Sequence, residues 1–423
     1  MTKLKIKVLG SGREVGRAGI VVESNNTRIL LDYGVSVSED EPLFPLPYPP
    51  KMLDGIVLSH AHLDHSGALP LLYISQRKPL FATRLTMELT DILIKDFLKI
   101  AGYYVPYELE ELYNMHECVI EVNYGEEQKL GNATLHFDNA GHIPGSMTTK
   151  LEIDGVRILY TGDINTTETA LLKAANVDTD VDLVLMEATY AEFDHPDRKE
   201  SEKALVDSIR EVLEDGGVVL IPAFAVGRSQ EIACVLEQYL PDVKIYLDGM
   251  SRIVFETLIN HPDSLKDPKL VESTYRRVIK IRGWQDRLKA VKSPSVIISP
   301  AGMLKGGAAV FYLKKIYNNP KNAVFLVSYQ ARGTPGRELL EDGVFYQGEK
   351  PKKIKARVEW FDFSSHSGRK ELIELVNKLP ASAKVVILHS EEPVGMGFKE
   401  YCEKELGLET YFPQTGEELS LNF

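Results

Sequence analysis

The sequence predicts an α/β protein in which a second sheet-bearing domain is inserted into the first. Three observations carry this. Up to about residue 198 the chain reads as short strands with turn punctuation, several of them ending in polar residues. From about Glu200 strands alternate with helices, the pattern of parallel βαβ units on a sheet of their own. After about residue 338 the chain returns to short strands. The expected boundaries are 1–198 for the first part of the outer domain, 199–337 for the insertion and 338–423 for the C-terminal part. A chain of 423 residues is too long for one ordinary core, which agrees with two domains.

Each element follows from its local pattern. KIKVLG, GIVVES and RILLDYG read as consecutive strands, the last two joined at Asn25-Asn26. DGIVLSH is a nearly continuous apolar run, as expected of a strand buried on both faces. Gly67 to Tyr73 reads as a helix start, and 84–101, apolar at every third or fourth position, as an amphipathic helix. ATLHFDNAGH, VRILYTGD and VDLVLMEATY are three more strands. SEKALVDSIREVLEDGG is a helix closed by glycine. GVVLIPAFAVGRSQEIACVLEQYL is strand, loop and helix, VKIYLDGMS a strand, and SVIISPAGMLKGGAAVFYLKKI a strand, a Gly-rich loop and a helix. AVFLVSYQARGTPGREL is strand and loop. RKELIELVNKL then reads as a helix and AKVVILHS as a strand.

Composition narrows the class. The hydrophobic share of 44% and charged share of 26% suit a globular protein. No apolar run is long enough for a bilayer and the N-terminus enters a strand pattern directly, so a cytoplasmic location without membrane association is the expectation. Cys118, Cys234 and Cys402 lack paired spacing, which reads as free buried thiols rather than a disulfide frame or thiolate metal site. A formal net charge of −12 is a poor global footprint for nucleic-acid binding. Basic residues nevertheless cluster at 274–292 and 349–360, where the plain alternative is a solvated helix face or edge strand.

The chemistry concentrates in SHAHLDHSGALP. His60, His62, Asp64 and His65 fall within six positions. In an extended segment His60 and His62 point the same way, and Asp64 and His65 follow at the turn. Imidazoles with hard carboxylates suit zinc, and also manganese or iron. His142 in NAGHIPGS, Asp163 in YTGDIN and His366 in WFDFSSHSG share one context, a ligand type at a strand end before a small or turn residue. Sites on α/β folds are assembled in this way.

HxHxDH, a His about eighty residues on and an Asp some twenty later resemble the metallo-β-lactamase fold, an αββα sandwich. LMEATY, IPAFAVGRSQE, YLDGMS, SPAGMLKGG, SYQARGTPGRE and FSSHSG, with the opening GSGREVGRAGI, resemble its β-CASP branch, which includes cleavage-and-polyadenylation-factor nucleases and ribonuclease J. The similarity spans the chain and is nearest to archaeal members in a short form without KH modules. It implies an inserted β-CASP domain with a mainly parallel sheet, two divalent ions (zinc first, manganese as the alternative) and a single-stranded RNA substrate. It also implies ligand roles: His60, His62 and His142 on one ion, Asp64, His65 and His366 on the other, and Asp163 between them. Glu187 would be the acidic residue of the branch's first extra motif. Homodimerisation is an expectation from family behaviour alone.

Such residues suit phosphodiester hydrolysis by a two-metal mechanism. A hydroxide shared by two cations about 3.5–4 Å apart would be the nucleophile, and the cations would neutralise the phosphate in the transition state. Asp64 would orient the water. Relatives usually carry one more His before the last ligand, but none occurs between His261 and His366. Glu338 and Val358 stand near the two expected places, so Glu338 or His389 is the candidate general acid. For the RNA or its phosphates the candidates are Ser299, Gly302, Arg228, Ser328, Arg332, Arg337, Ser364 and Ser365, with surface or turn roles as the plain alternatives. Endonuclease and 5′→3′ exonuclease both remain open. The competing readings are a hydrolase of a small thioester or lactone, against which the long insertion argues, and a weakly active RNA-binding scaffold, against which the full ligand set argues.

Overall fold

A computed structural model describes residues 2–25, 27–37, 41–331, 333–347 and 350–423, so Asn26 of the expected turn and Arg332 lie outside the described residues. The chain forms two compact units. The first is Met1–Glu168, Ala174–Asp194 and Ser365–Phe423, and the second is Thr169–Lys173 with His195–Ser364.

The strands in chain order are β1 (Lys3–Gly10), β2 (Gly19–Ser24), β3 (Thr27–Leu31), β4 (Gly55–Val57), β5 (Leu80–Ala82), β6 (Val119–Glu121), β7 (Glu127–Leu130), β8 (Ala133–Asn139), β9 (Met147–Ile153), β10 (Val156–Tyr160) and β11 (Leu183–Glu187). The second unit contributes β12 (Val218–Pro222), β13 (Ile245–Leu247), β14 (Ile279–Lys280), β15 (Ser295–Ser299), β16 (Ala323–Leu326), β17 (Val344–Gln347), β18 (Lys350–Lys353) and β19 (Arg357–Trp360). β20 (Lys384–Leu388), β21 (Glu409–Tyr411) and β22 (Glu418–Asn422) close the first.

The first unit contains two sheets, ordered β22-β1-β2-β3-β4-β5-β6 and β21-β20-β11-β10-β9-β8-β7. Alternate residues of β1 (Leu4, Ile6, Val8) meet Leu135, Phe137, Leu151 and Ile153 in a core shared by both sheets. The outer face of the first sheet packs on the helix Arg84–Ala101 through Met87, Ile94 and Phe97. Thr83 caps that helix by accepting from Thr86 N–H. The outer face of the second sheet packs on Arg369–Val376 and Glu392–Glu405 through Leu372, Leu375, Phe398 and Cys402. The result is the αββα sandwich.

The second unit has a six-stranded sheet, β14-β13-β15-β12-β16-β19, in which every pairing is parallel. Residues 338–364, expected in the C-terminal part of the outer domain, cluster with this unit instead. The reason is register. β19 adds to the sheet edge beside β16, with Val324 opposite Val358, and β17 pairs with β18 in a hairpin. Short strands after residue 338 look alike in sequence whichever sheet receives them. Cys234 and Cys402 are buried free thiols, while Cys118 is only half-buried.

Candidate metal centre

The HxHxDH segment leaves the end of β4 and turns into the short helix Leu63–Ser66. Its backbone is clamped from below: Ala18 N–H donates to Asp64 O (2.7 Å), Tyr33 N–H to His65 O (2.8 Å) and Val35 N–H to Leu63 O (2.7 Å). Gly34 lies directly beneath, and a Cβ there would stand 1.8 Å from Asp64 O. Only glycine allows this approach.

Asp163, 2% exposed, follows β10 and divides the site. Its Oδ2 lies 3.5 Å from His60 Nε2 and 3.5 Å from His142 Nε2, and His142 Nε2 in turn stands 3.1 Å from His62 Nδ1. Its Oδ1 lies 3.3 Å from His65 Nε2 and 3.5 Å from His389 Nδ1, and His389 Nε2 is 3.4 Å from Asp64 Oδ2. One carboxylate therefore faces three imidazoles on one side and a second group of ligand atoms on the other.

The ring nitrogens are held in register from behind. Asp32 Oδ2 accepts from His65 Nδ1 (2.7 Å), Ser59 Oγ meets His60 Nδ1 (3.0 Å) and Ser365 O accepts from His142 Nδ1 (2.8 Å). Each contact occupies Nδ1 and leaves Nε2 facing Asp163, the arrangement by which outer groups orient metal-bound imidazoles. Asp32 was missed in the sequence. It is fully buried, sits at φ 56°, and also accepts from Ser59 N–H, Ser59 Oγ and Tyr160 OH. Its only signal is a carboxylate directly after the apolar run RILL, before Tyr-Gly.

Both late histidines reach the site: His366 forms a possible ion-holding group with Asp163 and Glu187, and His389 one with His65 and Asp163. His366 was expected as a ligand beside Asp64 and His65, yet its Nδ1 is 2.9 Å from both Oε1 and Oε2 of Glu187. His389, expected as a general-acid candidate, joins Asp64, His65 and Asp163. β20, which ends at Leu388, runs parallel to β11 with Leu388 opposite Glu187. This register sets His389 at the same sheet edge as Glu187, and His389 turns through φ 47° with its N–H donating to Ser11 O (2.9 Å). Glu187 also accepts from Ile164 N–H (2.7 Å), so it holds a loop as well as His366.

Burial and neighbouring charges shift the groups of the cluster in opposite directions. Burial and neighbouring imidazoles push His60 and His142 well below the usual histidine range, which keeps them neutral and able to ligate. Burial opposes protonation of His65, but Asp163 and Asp32 override it and hold that ring well above the usual range. Burial would raise Asp163, yet His65, His389 and His366 hold it far below the carboxylate range. His366, despite burial, is pushed up to about 9 by Glu187 and Asp163. His60 Nε2, His65 Nε2, His389 Nε2 and Asp163 Oδ1 are buried without a hydrogen-bond partner. Several converging orphaned donor atoms of this kind are costly unless a cation completes them, so the residues fit divalent metal.

The remaining candidates lie elsewhere. Glu338 is half-buried on the helix Pro335–Asp342 of the second unit and belongs to none of the possible metal-holding groups among the described residues. Arg337, on the same helix, pairs with Glu341 (2.7 Å), and Arg228 opens the helix Arg228–Tyr239, largely buried. Ser299 and Ser328 are buried in the second unit with unpartnered Oγ atoms. A Cβ on Gly302 would come 3.1 Å from Ser328 Oγ. Ser364 offers its carbonyl to Arg198.

Residues 21–190 match the metallo-beta-lactamase superfamily domain, 229–339 the Beta-Casp domain and 351–413 the Zn-dependent metallo-hydrolase RNA specificity domain. The chain is 44% identical over 422 residues to RNase aCSPSF2 of Saccharolobus solfataricus, covering 98% of this chain and 85% of that protein. It is 35% identical over 425 residues to an RNase J-like protein of Methanocaldococcus jannaschii, covering 97% and 98%. Transcription termination factor FttA of the same organism is 34% identical over 454 residues, covering 97% and 70%. A solved protein of unknown function from Enterococcus faecalis shares the fold with a TM-score of 0.63 at 16% identity, covering 99% of this chain and all 100% of that one. No helix among the described residues is long and apolar enough to cross a membrane. Three domain families in order along the sequence, on a sandwich whose sheet edge gathers these ligands, have one meaning: the chain belongs to the β-CASP branch of the metallo-β-lactamase superfamily.

Proposed function

We propose that this protein is a metal-dependent ribonuclease that hydrolyses phosphodiester bonds of single-stranded RNA. The observation that carries the reading is the division of Asp163, whose two oxygens each face a separate ligand set. His60, His62, His142 and Asp163 Oδ2 would hold one ion, and Asp64, His65, His389 and Asp163 Oδ1 a second, zinc first by ligand type and manganese as the alternative. Bound divalent ions supply Lewis acidity toward phosphate and a water acidified toward neutral pH. The names of the relatives, RNase aCSPSF2 and an RNase J-like protein, support RNA as the substrate.

The chain's own groups supply orientation and proton handling. Asp32, Ser59 and Ser365 O fix the tautomers of His65, His60 and His142. Asp64 orients the attacking water. His366, gripped through Nδ1 by Glu187, is the proton donor assigned to the leaving oxygen, and Glu187 is its positioning partner. This assignment fills the general-acid role without Glu338. Ser328, whose Oγ lies 3.1 Å from the place of a Cβ on Gly302, is buried, as is Ser299, so 5′→3′ exonuclease and endonuclease action are separated by the assay below.

Two measurements test this. RNA labelled at one end, carrying a 5′-monophosphate or 5′-triphosphate, is digested beside a small thioester. Mononucleotides from the monophosphate form are expected, internal fragments from both forms would leave an endonuclease, and thioester turnover without RNA cleavage would overturn the reading. In parallel, His389→Ala is expected to lose one metal equivalent per chain, whereas His366→Ala keeps both and loses rate. The reverse pattern would return His366 to the ligand set.

A further inference from the structure

The basic stretch 274–292 is not a uniformly solvated face. Most of its charges are spent: Arg276 pairs with Glu272, Arg277 with Glu237, and Arg287 with Asp248 at 2.7 Å and 3.1 Å. Asp248 also accepts from Tyr312 OH (2.7 Å), so its charge is fully engaged. Arg282 is exposed and, like Lys280 and Lys292, without an ion pair among the described residues. It stands at the rim of a concavity of about 340 Å³ in the second unit, with Arg252, Ile253 and Trp284 as further lining. The Arg252 guanidinium has no ion pair among the described residues either, and its Nε is buried without a hydrogen-bond partner.

The place and the chemistry are those of a ligand site. The concavity lies where β13 and β14 end, on the carboxyl side of a parallel sheet, where α/β folds bind ligands. Its volume falls in the range of small-molecule sites, roughly 300–1,000 Å³. Trp284 rests on Phe311 (ring centroids 4.7 Å, 54°) and is still 55% exposed, and Ile253 is 44% exposed. A large aromatic held by a second ring, left half in solvent and flanked by two unneutralised guanidiniums, is an expensive surface in a chain of net charge −12. Burial first, and then Arg282, lower the Lys280 ammonium, with Glu256 opposing them.

We propose that this concavity is a subsite for one nucleotide of single-stranded RNA, with the base stacked on Trp284 and the adjoining phosphate contacted by Arg252 and Arg282. The proposal rests on the ribonuclease reading. Stacking requires an unpaired base, which excludes a duplex, and it is tolerant of sequence because every base offers a π-face. The site shares no residue with the metal centre and would govern affinity rather than the chemical step.

The test uses the full, zinc-loaded chain and a short phosphorothioate oligoribonucleotide, with binding read by fluorescence anisotropy across a salt series. Trp284→Ala is expected to weaken binding about tenfold, and Trp284→Phe to restore most of it. Arg252→Gln with Arg282→Gln is expected to reduce the slope of log affinity against log salt by about 0.7, the value for one phosphate contact on a single strand. The cleavage rate at saturating RNA stays within twofold in all variants. If wild-type protein cleaves RNA while these variants bind it as tightly and with the same slope, the subsite is refuted and the ribonuclease reading stands. If the wild type neither binds nor cleaves RNA, both fall. If an acidic peptide displaces the oligonucleotide with equal affinity through Trp284, the site is a protein-docking surface and the proposal is overturned.

Discussion

Asp32→Asn separates a structural role from a metal-positioning role. The carboxylate accepts four hydrogen bonds: Ser59 N–H (2.7 Å) on Oδ1, and Ser59 Oγ (2.6 Å), His65 Nδ1 (2.7 Å) and Tyr160 OH (2.7 Å) on Oδ2. The amide has one acceptor oxygen, which is best placed where three donors converge. Its NH2 then faces the Ser59 N–H, two donors with nothing between them. Losing one bond to a charged acceptor at a fully buried site costs about 1.5–3 kcal/mol, and the other three weaken because their acceptor is now neutral. His65 loses the anion that fixes its tautomer, which by analogy with such outer contacts lowers metal affinity about 10–100-fold. The assay is chelator competition on purified protein, with urea unfolding of the metal-free form alongside. The expected result is a 10–100-fold weaker second ion, a first ion within about threefold of wild type, and a stability loss of that size. Unchanged affinity for both ions together with the stability loss would refute the positioning role and leave Asp32 as a purely structural group.

Two further outcomes follow from the same geometry. Gly34→Ala forces a Cβ to within 1.8 Å of Asp64 O and 1.9 Å of its carbonyl carbon. It is expected to cost about 4 kcal/mol or more, read as a lower melting temperature and lost soluble yield, and an unchanged melting temperature would show that the clamp beneath the HxHxDH loop yields freely. Removing metal with EDTA is expected to lower the melting temperature by about 5 °C or more, since an ion at 100 times its Kd stabilises by about 2.7 kcal/mol. Zinc should restore it, and indifference to both treatments would contradict the metal assignment.

The legible parts were those with dense local pattern. The helix 84–101 was readable to its ends, because its apolar spacing is regular and Thr83 supplies a cap. HxHxDH announced metal by itself, and His142 and Asp163 were placed by the strand ends they follow. What failed was discrimination between two similar signals. His366 and His389 both sit past late strands before small residues, and the register of β20 against β11, a long-range fact, brings His389 to within 3.4 Å of Asp64. Asp32 was invisible because a lone carboxylate before Tyr-Gly looks like a turn; its partners come from residues 59, 65 and 160. Residues 338–364 were misplaced for the same reason, since sheet membership is a long-range fact.

The pairing of β11 with β20 sets an order of events during synthesis. Glu187 lies beside Leu388, 201 positions later by subtraction of their numbers. At typical elongation rates the ribosome needs about 10–40 s to cover that interval. Throughout it the nascent chain already contains His60, His62, His142 and Asp163, while His389 has yet to be made. A product truncated before residue 384 would carry Asp64, His65 and Asp163 but lack His389 and the strand that brings it to them. Translation itself therefore withholds the complete ligand set until residue 389 has been made.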